Sequence, residues 1–445
     1  MGRQHTGTKV IAWMAVVLGM AFVLLFILGS MRYGGTEGLV RRVRAQINTY
    51  QSHPSFVPTP LPTPTPGQVL GQTQGRDVSA SPAPSVPHAS PTEARSVPPT
   101  PTQIASTAAT PTLTEGPAAT HTPAHQPAAP AVELTGLTHA WQTWNNCGPA
   151  TLAMYLSYRG STLTQAEVGA TLRPDEEDKN VSPEELADFA RSQGFRTSVA
   201  VNGDADRVRL LLSNGVPVLI ETWLEPEPGD GMGHYRLLTG YDQAREELIA
   251  FDSYVSTGVD PDQPYRGIRL PYDKVDQLWA VFNRVYVLVY TDEQALIVRS
   301  ILGEDADATK MWQRASLSAQ EKVRQRPDDP FAWFNLGTDL VALGDFEQAA
   351  AAYDRARVIG LPWRMLWYQF GAFQAYFETW RFQEVISLAD ATLNTAKYVE
   401  ELYYWKGMAL QATGDPAGAR RAFEQALALN PNYAEAVAAL ATLEE

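Results

Sequence analysis

Residues 141–160 read WQTWNNCGPATLAMYLSYRG and contain Cys147, the only cysteine in the chain. Asn145 and Gly148 suit a tight loop, because asparagine and glycine tolerate positive φ angles. Pro149 fits the first turn of a helix, and the apolar residues after it recur at helical spacing. Cys147 is therefore predicted at the N-terminus of a buried helix, where unsatisfied N–H groups and the helix dipole favour a thiolate. The alternative is an inert, buried thiol.

The composition limits the functional classes. The chain has 445 residues, enough for several domains, with a formal charge of −14 and a pI near 5. This acidity argues against a nucleic-acid partner, which usually meets a basic surface. A single cysteine excludes an intrachain disulfide and a multi-cysteine zinc site. No cofactor and no metal are predicted.

The N-terminal part of the chain predicts a membrane anchor. After a tail at 1–9, the apolar run VIAWMAVVLGMAFVLLFIL starts at Val10, and about 20 such residues span a bilayer. We assign residues 10–31 to a single transmembrane helix. A cleavable signal peptide is the alternative, although its apolar core is usually shorter. Arginines after the helix favour a cytoplasmic C-terminal side on a literal charge count.

Residues 32–131 are predicted to be a disordered linker. The stretch contains PTPLPTPTPG and is dominated by proline, threonine, serine and alanine, with few charges. Such a composition cannot build a core and favours an extended spacer. Its four histidines are interpreted as solvated linker residues: His53, His88, His121 and His125. Stalks of this kind typically hold a domain outside a membrane, so we expect the folded domains to be extracytoplasmic.

Residues 132–291 are predicted to form one α+β domain with a helical half and an antiparallel sheet. Thr164 and Ser182 each precede a glutamate at capping-box spacing, which predicts two further helices. Runs such as VPVLIETW, HYRLLTGYD, ELIAFDSY and VYVLVY follow, with turn signals between them, and predict strands. The acidic stretch from Glu221 to Asp230 is interpreted as a solvated loop.

Residues 292–445 are predicted to be entirely helical and repetitive. Three copies place an aromatic residue four positions before a glycine. These pairs are Trp333 and Gly337, Trp367 and Gly371, and Tyr403 and Gly407. The spacing resembles that of tetratricopeptide repeats, which stack helix pairs into a superhelix. The middle copy is degenerate, with about two extra residues near Thr379. The resemblance implies a protein partner bound by the repeats.

A nucleophilic cysteine needs a base and a group that orients the base. Outside the tail and linker, the only histidines are His139 and His234. His139 lies in an irregular segment in which nothing holds it, whereas His234 opens a strand after a glycine-rich loop. The next strand ends at Asp252, which an antiparallel pairing would place beside His234. Gln142 is a candidate donor to an oxyanion, together with the Cys147 N–H.

These motifs resemble the bacteriocin-processing, double-glycine leader peptidases, and more closely their stand-alone, papain-like relatives. The shared elements are Gln-x4-Cys-Gly-Pro-Ala, Gly-His-Tyr-x4-Gly-Tyr-Asp and the aspartate ending the next strand. The resemblance covers about residues 132–291 and implies a papain-like fold in which Cys147 is the nucleophile, His234 the base, Asp252 its orienting group and Gln142 the oxyanion donor. Two departures are the absence of an ATP-binding motif and of the Asp-Pro that commonly follows the last strand. Asp242 is the rival to Asp252.

The sequence therefore predicts a membrane-anchored cysteine peptidase, a thiol hydrolase of peptide or amide bonds, with repeats that recruit a substrate or partner protein. The rival prediction is an inactive peptidase-like fold that acts as an interaction or scaffold module. A transamidase would use the same residues. The substrate, the repeat partner and the oligomeric state are not specified by the sequence.

Overall fold

The computed structural model describes residue 36 and residues 55–62, 125–226, 229–254 and 264–443. The predicted anchor at 10–31 and most of the predicted linker lie outside these residues. Within the part of the chain that is described, no helix is both long and apolar enough to cross a membrane.

The first half of the described chain is a mixed α/β domain built on one antiparallel sheet. Its strands are β1 (Ala131–Glu133), β2 (Arg196–Ala200), β3 (Val218–Leu224), β4 (Met232–Asp242), β5 (Glu247–Asp252), β6 (Ile268–Pro271) and β7 (Tyr286–Tyr290). The order across the sheet is β2-β7-β3-β4-β5-β6, and β1 pairs with the far end of β4. The predicted antiparallel sheet is confirmed.

The helices of this domain are α1 (Cys147–Tyr158), α2 (Gln165–Leu172), α3 (Pro183–Ser192), α4 (Ala205–Ser213), α5 (Tyr272–Trp279) and α6 (Ala295–Leu302). The capping boxes predicted at Thr164 and Ser182 are both present, at the starts of α2 and α3. Each capping box provides hydrogen-bond acceptors for two backbone N–H groups that the helix itself leaves unpaired.

The sheet is buried on both faces, because alternate residues of a strand point to opposite sides. Leu219 and Leu237 pack in one apolar cluster with α1, α2 and α3. Val218 and Ile220 pack on the other side with α4, α5, α6 and the helices of the C-terminal half. As a result, α1 lies across β4, and its first residues reach the end of that strand where His234 is located.

The C-terminal half is helical, as predicted. It comprises α7 (Ala308–Gln325), α8 (Pro330–Ala342), α9 (Phe346–Ile359), α10 (Gly371–Glu378), α11 (Phe382–Leu393), α12 (Glu400–Ala412), α13 (Pro416–Leu429) and α14 (Ala434–Thr442). Gly337 and Gly407 permit close packing, since a Cβ atom at either position would lie under 3.0 Å from the ring of Tyr353 or Phe423.

The middle repeat differs from a regular helix pair. Its first helix is replaced by a 3₁₀ turn at Trp363–Trp367, a break at Tyr368, and the short helix α10. The expected insertion near Thr379 is a tight turn between α10 and α11, in which Trp380 has a φ of 62°. The degenerate sequence of the middle repeat thus corresponds to an irregular backbone. This irregular part of the repeat contacts the α/β domain.

Residues 125–130 do not behave as the solvated linker that the sequence predicts. The His125 ring is within hydrogen-bonding distance of Ser300 Oγ at 3.0 Å. The backbone N–H groups of Gln126 and Ala129 donate to Asn214 and Ser213 at 2.8 and 3.1 Å. This part of the chain is attached to α4 and α6, and it leads directly into β1.

Candidate active site

Cys147 is the first residue of α1, as predicted, and the loop before it is tightly fixed. Asn145 adopts the expected left-handed conformation, with a φ of 50°. The buried side chain of Asn146 accepts from Arg173 Nη1 at 2.8 Å. Its Nδ2 donates to the side-chain Oε1 of Gln165 at 3.0 Å and to the backbone oxygen of Gln165 at 3.2 Å. The thiol therefore stands at a helix N-terminus, half-buried and held by a rigid turn.

His234 and Asp252 are brought side by side by the register of β4 and β5. Arg236 is directly opposite Asp252, and His234 lies two residues away on the same face of the sheet. His234 Nε2 is 2.8 Å from Asp252 Oδ1, and both side chains are buried. The imidazole is thus fixed by a carboxylate that comes from the neighbouring strand.

The His234 ring lies close enough to the Cys147 thiol that each group shifts the pKa of the other. Because Nε2 of His234 is engaged with Asp252, Nδ1 is the ring nitrogen that faces the sulfur. Cys147, His234 and Asp252 are consequently arranged in order, with the imidazole between the thiol and the carboxylate to which it is hydrogen-bonded. A proton on the thiol can pass to an imidazole that is already oriented to receive it.

The charges of these groups favour an ion pair. Burial raises the pKa of the Cys147 thiol, but the hydrogen bond and positive charge of His234 outweigh burial, and the pKa is lowered. Burial lowers the pKa of His234, but the Asp252 carboxylate outweighs it, and that pKa is raised. The pKa of Asp252 is lowered despite burial, because His234 and Arg236 are positively charged. All three directions favour thiolate, imidazolium and carboxylate together.

Arg236 is a residue of this site that the sequence reasoning missed. Its Nε donates to Asp252 Oδ2 at 2.8 Å, and its side chain is only 5% exposed. The backbone N–H of Tyr254 donates to Asp252 Oδ1 at 2.8 Å. Both carboxylate oxygens are therefore held in place. The available signal was the spacing in His-Tyr-Arg, which places an arginine on the same strand face as His234.

Gln142 is attached to the end of β5. Its backbone N–H donates to Ser253 O at 3.0 Å, and Ser253 Oγ donates to Gln142 Oε1 at 3.0 Å. Because the carbonyl end of the amide accepts from Ser253, Nε2 is the end oriented to donate elsewhere. The structure thus places Gln142 beside the residue that follows Asp252, at the start of the loop that leads to Cys147.

The two rival residues lie outside this chain of contacts. His139 Nε2 is 2.9 Å from the carbonyl oxygen of Asp252, and its ring stacks on Tyr265 with centroids 3.6 Å apart. The expectation that nothing holds His139 is wrong, because its partners come from distant parts of the chain. Asp242 is at the opposite end of β4 from His234, about 26 Å away at the usual rise per strand residue, and it pairs with Arg245.

A small cleft lies beside Cys147, and its walls come from both halves of the chain. The lining residues are Asn145, Cys147, Gly148, Lys179, Val181, Glu221, Gly233, Tyr235 and Tyr368. Glu221 lies within β3 and is only 5% exposed, so its interpretation as part of a solvated loop is wrong. Burial, and then the nearby Cys147 charge, raise the pKa of Glu221 well above its usual value. Tyr368 comes from the irregular middle repeat.

The repeats are held against the loops that flank the cleft. Arg364 forms an ion pair with Asp230 at 2.5 Å and donates to the carbonyl oxygens of Asp230 and Gly231 at 3.1 and 3.3 Å. The Lys179 ammonium lies between Trp144 and Trp367, at 5.8 and 5.7 Å from the ring centroids. The repeat region therefore contacts the loop before His234 directly, whereas Lys179 stands between Trp367 and Trp144 of the loop before Cys147. No local sequence pattern indicates these contacts.

The described residues contain no group of three or more histidine, cysteine, aspartate or glutamate side chains arranged to hold a metal ion. The residues gathered around Cys147 are instead those of acid–base and nucleophilic chemistry. Together with the antiparallel sheet and the helix that begins at the cysteine, they define a domain of the cysteine-peptidase type.

Comparison with known families agrees with this class. Residues 132–285 match the Peptidase_C39 like family. Residues 400–433 and 330–355 match tetratricopeptide repeats. The chain therefore carries a C39-like peptidase domain followed by tetratricopeptide repeats at its C-terminal side. No curated protein matches the chain.

Solved structures resemble separate parts of the chain. A C39-like peptidase from Bacillus anthracis is 16% identical over 36% of this chain and 98% of its own, with a TM-score of 0.28. The peptidase domain of Streptococcus ComA, a bifunctional ABC transporter, is 16% identical over 36% of this chain and 100% of its own, with a TM-score of 0.27. MamA from Desulfovibrio magneticus RS-1 is 18% identical over 30% of this chain and 75% of its own, with a TM-score of 0.27.

Proposed function

We propose that the C39-like domain is an active cysteine peptidase that hydrolyses peptide or amide bonds. The observation that carries this proposal is the position of His234, which bridges the Cys147 thiol and the Asp252 carboxylate. A helix N-terminus and an imidazolium both stabilise a thiolate, and a thiolate is the reactive form of cysteine.

In the proposed reaction, the Cys147 sulfur attacks the carbonyl carbon of a peptide, and the carbonyl π electrons move to the oxygen. The Cys147 backbone N–H and Gln142 Nε2 stabilise that oxyanion. The His234 imidazolium then gives its proton to the departing amine, which leaves a thioester on Cys147. A water molecule, deprotonated by His234, attacks the thioester and releases the acid and the thiol.

Asp252 and Arg236 act on His234 rather than on the substrate. Asp252 holds the ring so that Nδ1 faces the sulfur, and its negative charge stabilises the imidazolium. Arg236 fixes the second carboxylate oxygen and keeps Asp252 ionised. The pair thus orients the base without taking part in proton transfer.

The rest of the chain suggests where this activity is used. The apolar segment at 10–31 is proposed to anchor the protein in a membrane, with the Pro/Thr-rich linker and the folded domains on the extracytoplasmic side. The substrate is proposed to be a peptide or protein, and the repeats to bind a protein substrate or partner. Support comes from the length of the apolar run and from the position of the repeats beside the cleft.

One observation favours the alternative, an inactive fold that serves as a scaffold. The cleft beside Cys147 is narrow, and Tyr368 from the repeats forms part of its wall. A permanently covered thiol would make the repeats the functional part. The reactivity of the thiol separates the two proposals, because a covered or unactivated thiol reacts slowly with a small alkylating reagent.

The rate of Cys147 alkylation by iodoacetamide is expected to remain high below pH 8.5, the ordinary thiol pKa. The lowered thiol pKa means that the reactive thiolate persists at lower pH and is lost only as the pH falls through that lowered value. In His234→Ala, burial is no longer opposed by the imidazolium, so the midpoint should rise by at least about one pH unit. Mass spectrometry of the labelled chain, at a series of pH values, gives both midpoints.

His139→Ala is the matched control, since it removes the other histidine of the domain, which contacts the Asp252 backbone but not the thiol. Its alkylation midpoint should equal that of the wild type. A wild-type midpoint near pH 8.5, or equal midpoints in wild type and His234→Ala, would contradict the proposed ion pair.

A further inference from the structure

A short part of the linker is bound to the repeats. Phe56 forms an antiparallel bridge with Pro362, and the Val57 N–H donates to Leu361 O at 2.8 Å. The Val57 side chain is only 4% exposed and belongs to the same apolar cluster as the core of the repeats. Thr59, two residues later, is exposed. The segment 55–60 is therefore held by one buried side chain and by backbone pairing.

The repeats present a buried arginine to this segment. Arg357 Nε donates to Pro58 O at 2.7 Å, and the residue is only 3% exposed. The other guanidinium nitrogens are occupied: Nη2 pairs with Glu384 at 2.8 Å, and Nη1 donates to Tyr376 at 3.0 Å. Because residues of α10 and α11 fix the guanidinium, its Nε direction is set by the repeats themselves. The donor is thus part of a preformed site.

The segment has the chemistry that this site requires. Pro58 and Pro60 favour an extended backbone whose carbonyl oxygens remain available to a donor. Phe56 is the only phenylalanine, tyrosine or tryptophan between residues 51 and 131. Its ring lies against Gly360, where an added Cβ would be 3.3 Å from the ring, and Gly360 has a φ of 119°. One face of the Phe56 ring, which is 56% exposed, the buried Val57 side chain and the Pro58 carbonyl oxygen therefore meet three successive features of the repeats.

We propose that the first and middle repeats form a peptide-binding site for an extended aromatic–Val–Pro segment, and that its ligand is residues 55–60 of the same chain. If the membrane anchor proposed above is correct, binding shortens the tether. Residues 32–54 span at most about 80 Å, whereas residues 32–124 span up to about 320 Å at full extension. Binding of the segment would therefore set how far the cleft can reach from the membrane.

Hydrogen exchange of the full chain in detergent micelles tests whether the segment is bound in solution. The Val57 amide is expected to exchange at least ten times more slowly than the same amide in a free peptide of residues 53–62, because it donates to Leu361 O in the full chain. Val57→Asp places a charge in the buried position and should abolish this protection. Thr59→Asp adds the same charge at an exposed position and should preserve it. Rapid exchange in the wild type would overturn the proposal.

Binding of a separate peptide tests whether the site is specific. A fluorescent peptide of residues 53–62 should bind full-length Val57→Asp at least ten times more tightly than the wild type, in which the tethered segment competes at about millimolar effective concentration. The same peptide with Val57→Asp should not bind. Equal affinity for the two chains, or equal binding of the two peptides, would overturn the proposal. Neither readout uses peptidase activity, so failure here leaves the proposed function untouched.

Discussion

Cys147→Ala is expected to abolish peptide hydrolysis, lowering kcat/KM by at least about 10³-fold, because removal of a nucleophile leaves only the binding and oxyanion contributions. The same variant should lose all labelling by iodoacetamide, since the chain has no other cysteine. The fold should be kept, because the thiol is only half-buried and its loss removes a negative charge near Glu221. Peptide cleavage, followed by mass spectrometry, and the melting temperature measure the two effects.

A melting temperature within about 4 °C of the wild-type value would establish that the Cys147→Ala domain is folded, since about 1 kcal/mol corresponds to 2–4 °C in domains of this size. Equal hydrolysis by the wild type and a folded Cys147→Ala variant would contradict the role of the thiol. Cys147→Ser keeps the shape of the side chain and is expected to be nearly as inactive, because a hydroxyl is not ionised by His234 at neutral pH.

Asp252→Asn is expected to have the second largest effect. Loss of the carboxylate removes the group that orients His234, and such a change lowers kcat by about 10⁴ in a related Ser-His-Asp arrangement. It also leaves the buried Arg236 guanidinium without its charged partner, at a cost of about 3–5 kcal/mol of unfolding free energy. Urea unfolding and peptide cleavage measure the two losses separately.

The stability effect of Asp252→Asn should depend on pH. The folded-state pKa of Asp252 is lowered, so its carboxylate contributes stability above the ordinary aspartate pKa of about 3.9, and the contribution is lost as the pH falls through the folded value. The difference in unfolding free energy between the wild type and the variant should therefore be largest near pH 7 and should decrease in acid. A difference that does not change with pH would contradict this explanation.

Asp242→Asn is the matched control for Asp252→Asn. Asp242 lies on the adjacent strand at the opposite end, its ion pair with Arg245 is partly exposed, and its Oδ1 caps a turn that asparagine can also cap. The expected cost is below about 1 kcal/mol. Activity should be unchanged. Comparable losses in the two variants would show that strand pairing, and not the orientation of His234, explains the effect.

Local sequence signals predicted the elements that carry the candidate site. Asn145, Cys147 and Pro149 indicated a loop that becomes a helix, and the structure has Asn145 at positive φ and Cys147 as the first helical residue. The strand that begins near His234, and the next strand ending at Asp252, also follow from alternating and β-branched residues. These signals are local, because capping, turn formation and strand propensity depend on neighbouring residues.

The walls of the cleft could not be predicted in the same way. Tyr368 of the irregular middle repeat lines the cleft beside Cys147, and Arg364 of the same repeat binds the loop at Asp230. Glu221 belongs to the run VPVLIETW, which is predicted as a strand, but it also falls in the acidic stretch that is interpreted as a loop ending at Asp230, and neither pattern indicates its burial in the wall of the cleft. Such contacts depend on how two distant parts of the chain pack, and strand propensity does not specify which buried side chain will line a cleft.

In the proposed reaction, Cys147 accepts an acyl group and passes it to water with the help of His234. The most direct measurement is time-resolved mass spectrometry of the full chain mixed with an activated acyl ester. One acyl group is expected on the peptide that contains Cys147, where it appears rapidly and then disappears by hydrolysis. In His234→Ala, both acylation and hydrolysis should be far slower. No acyl group on Cys147, or equal rates in the wild type and His234→Ala, would contradict the proposed reaction.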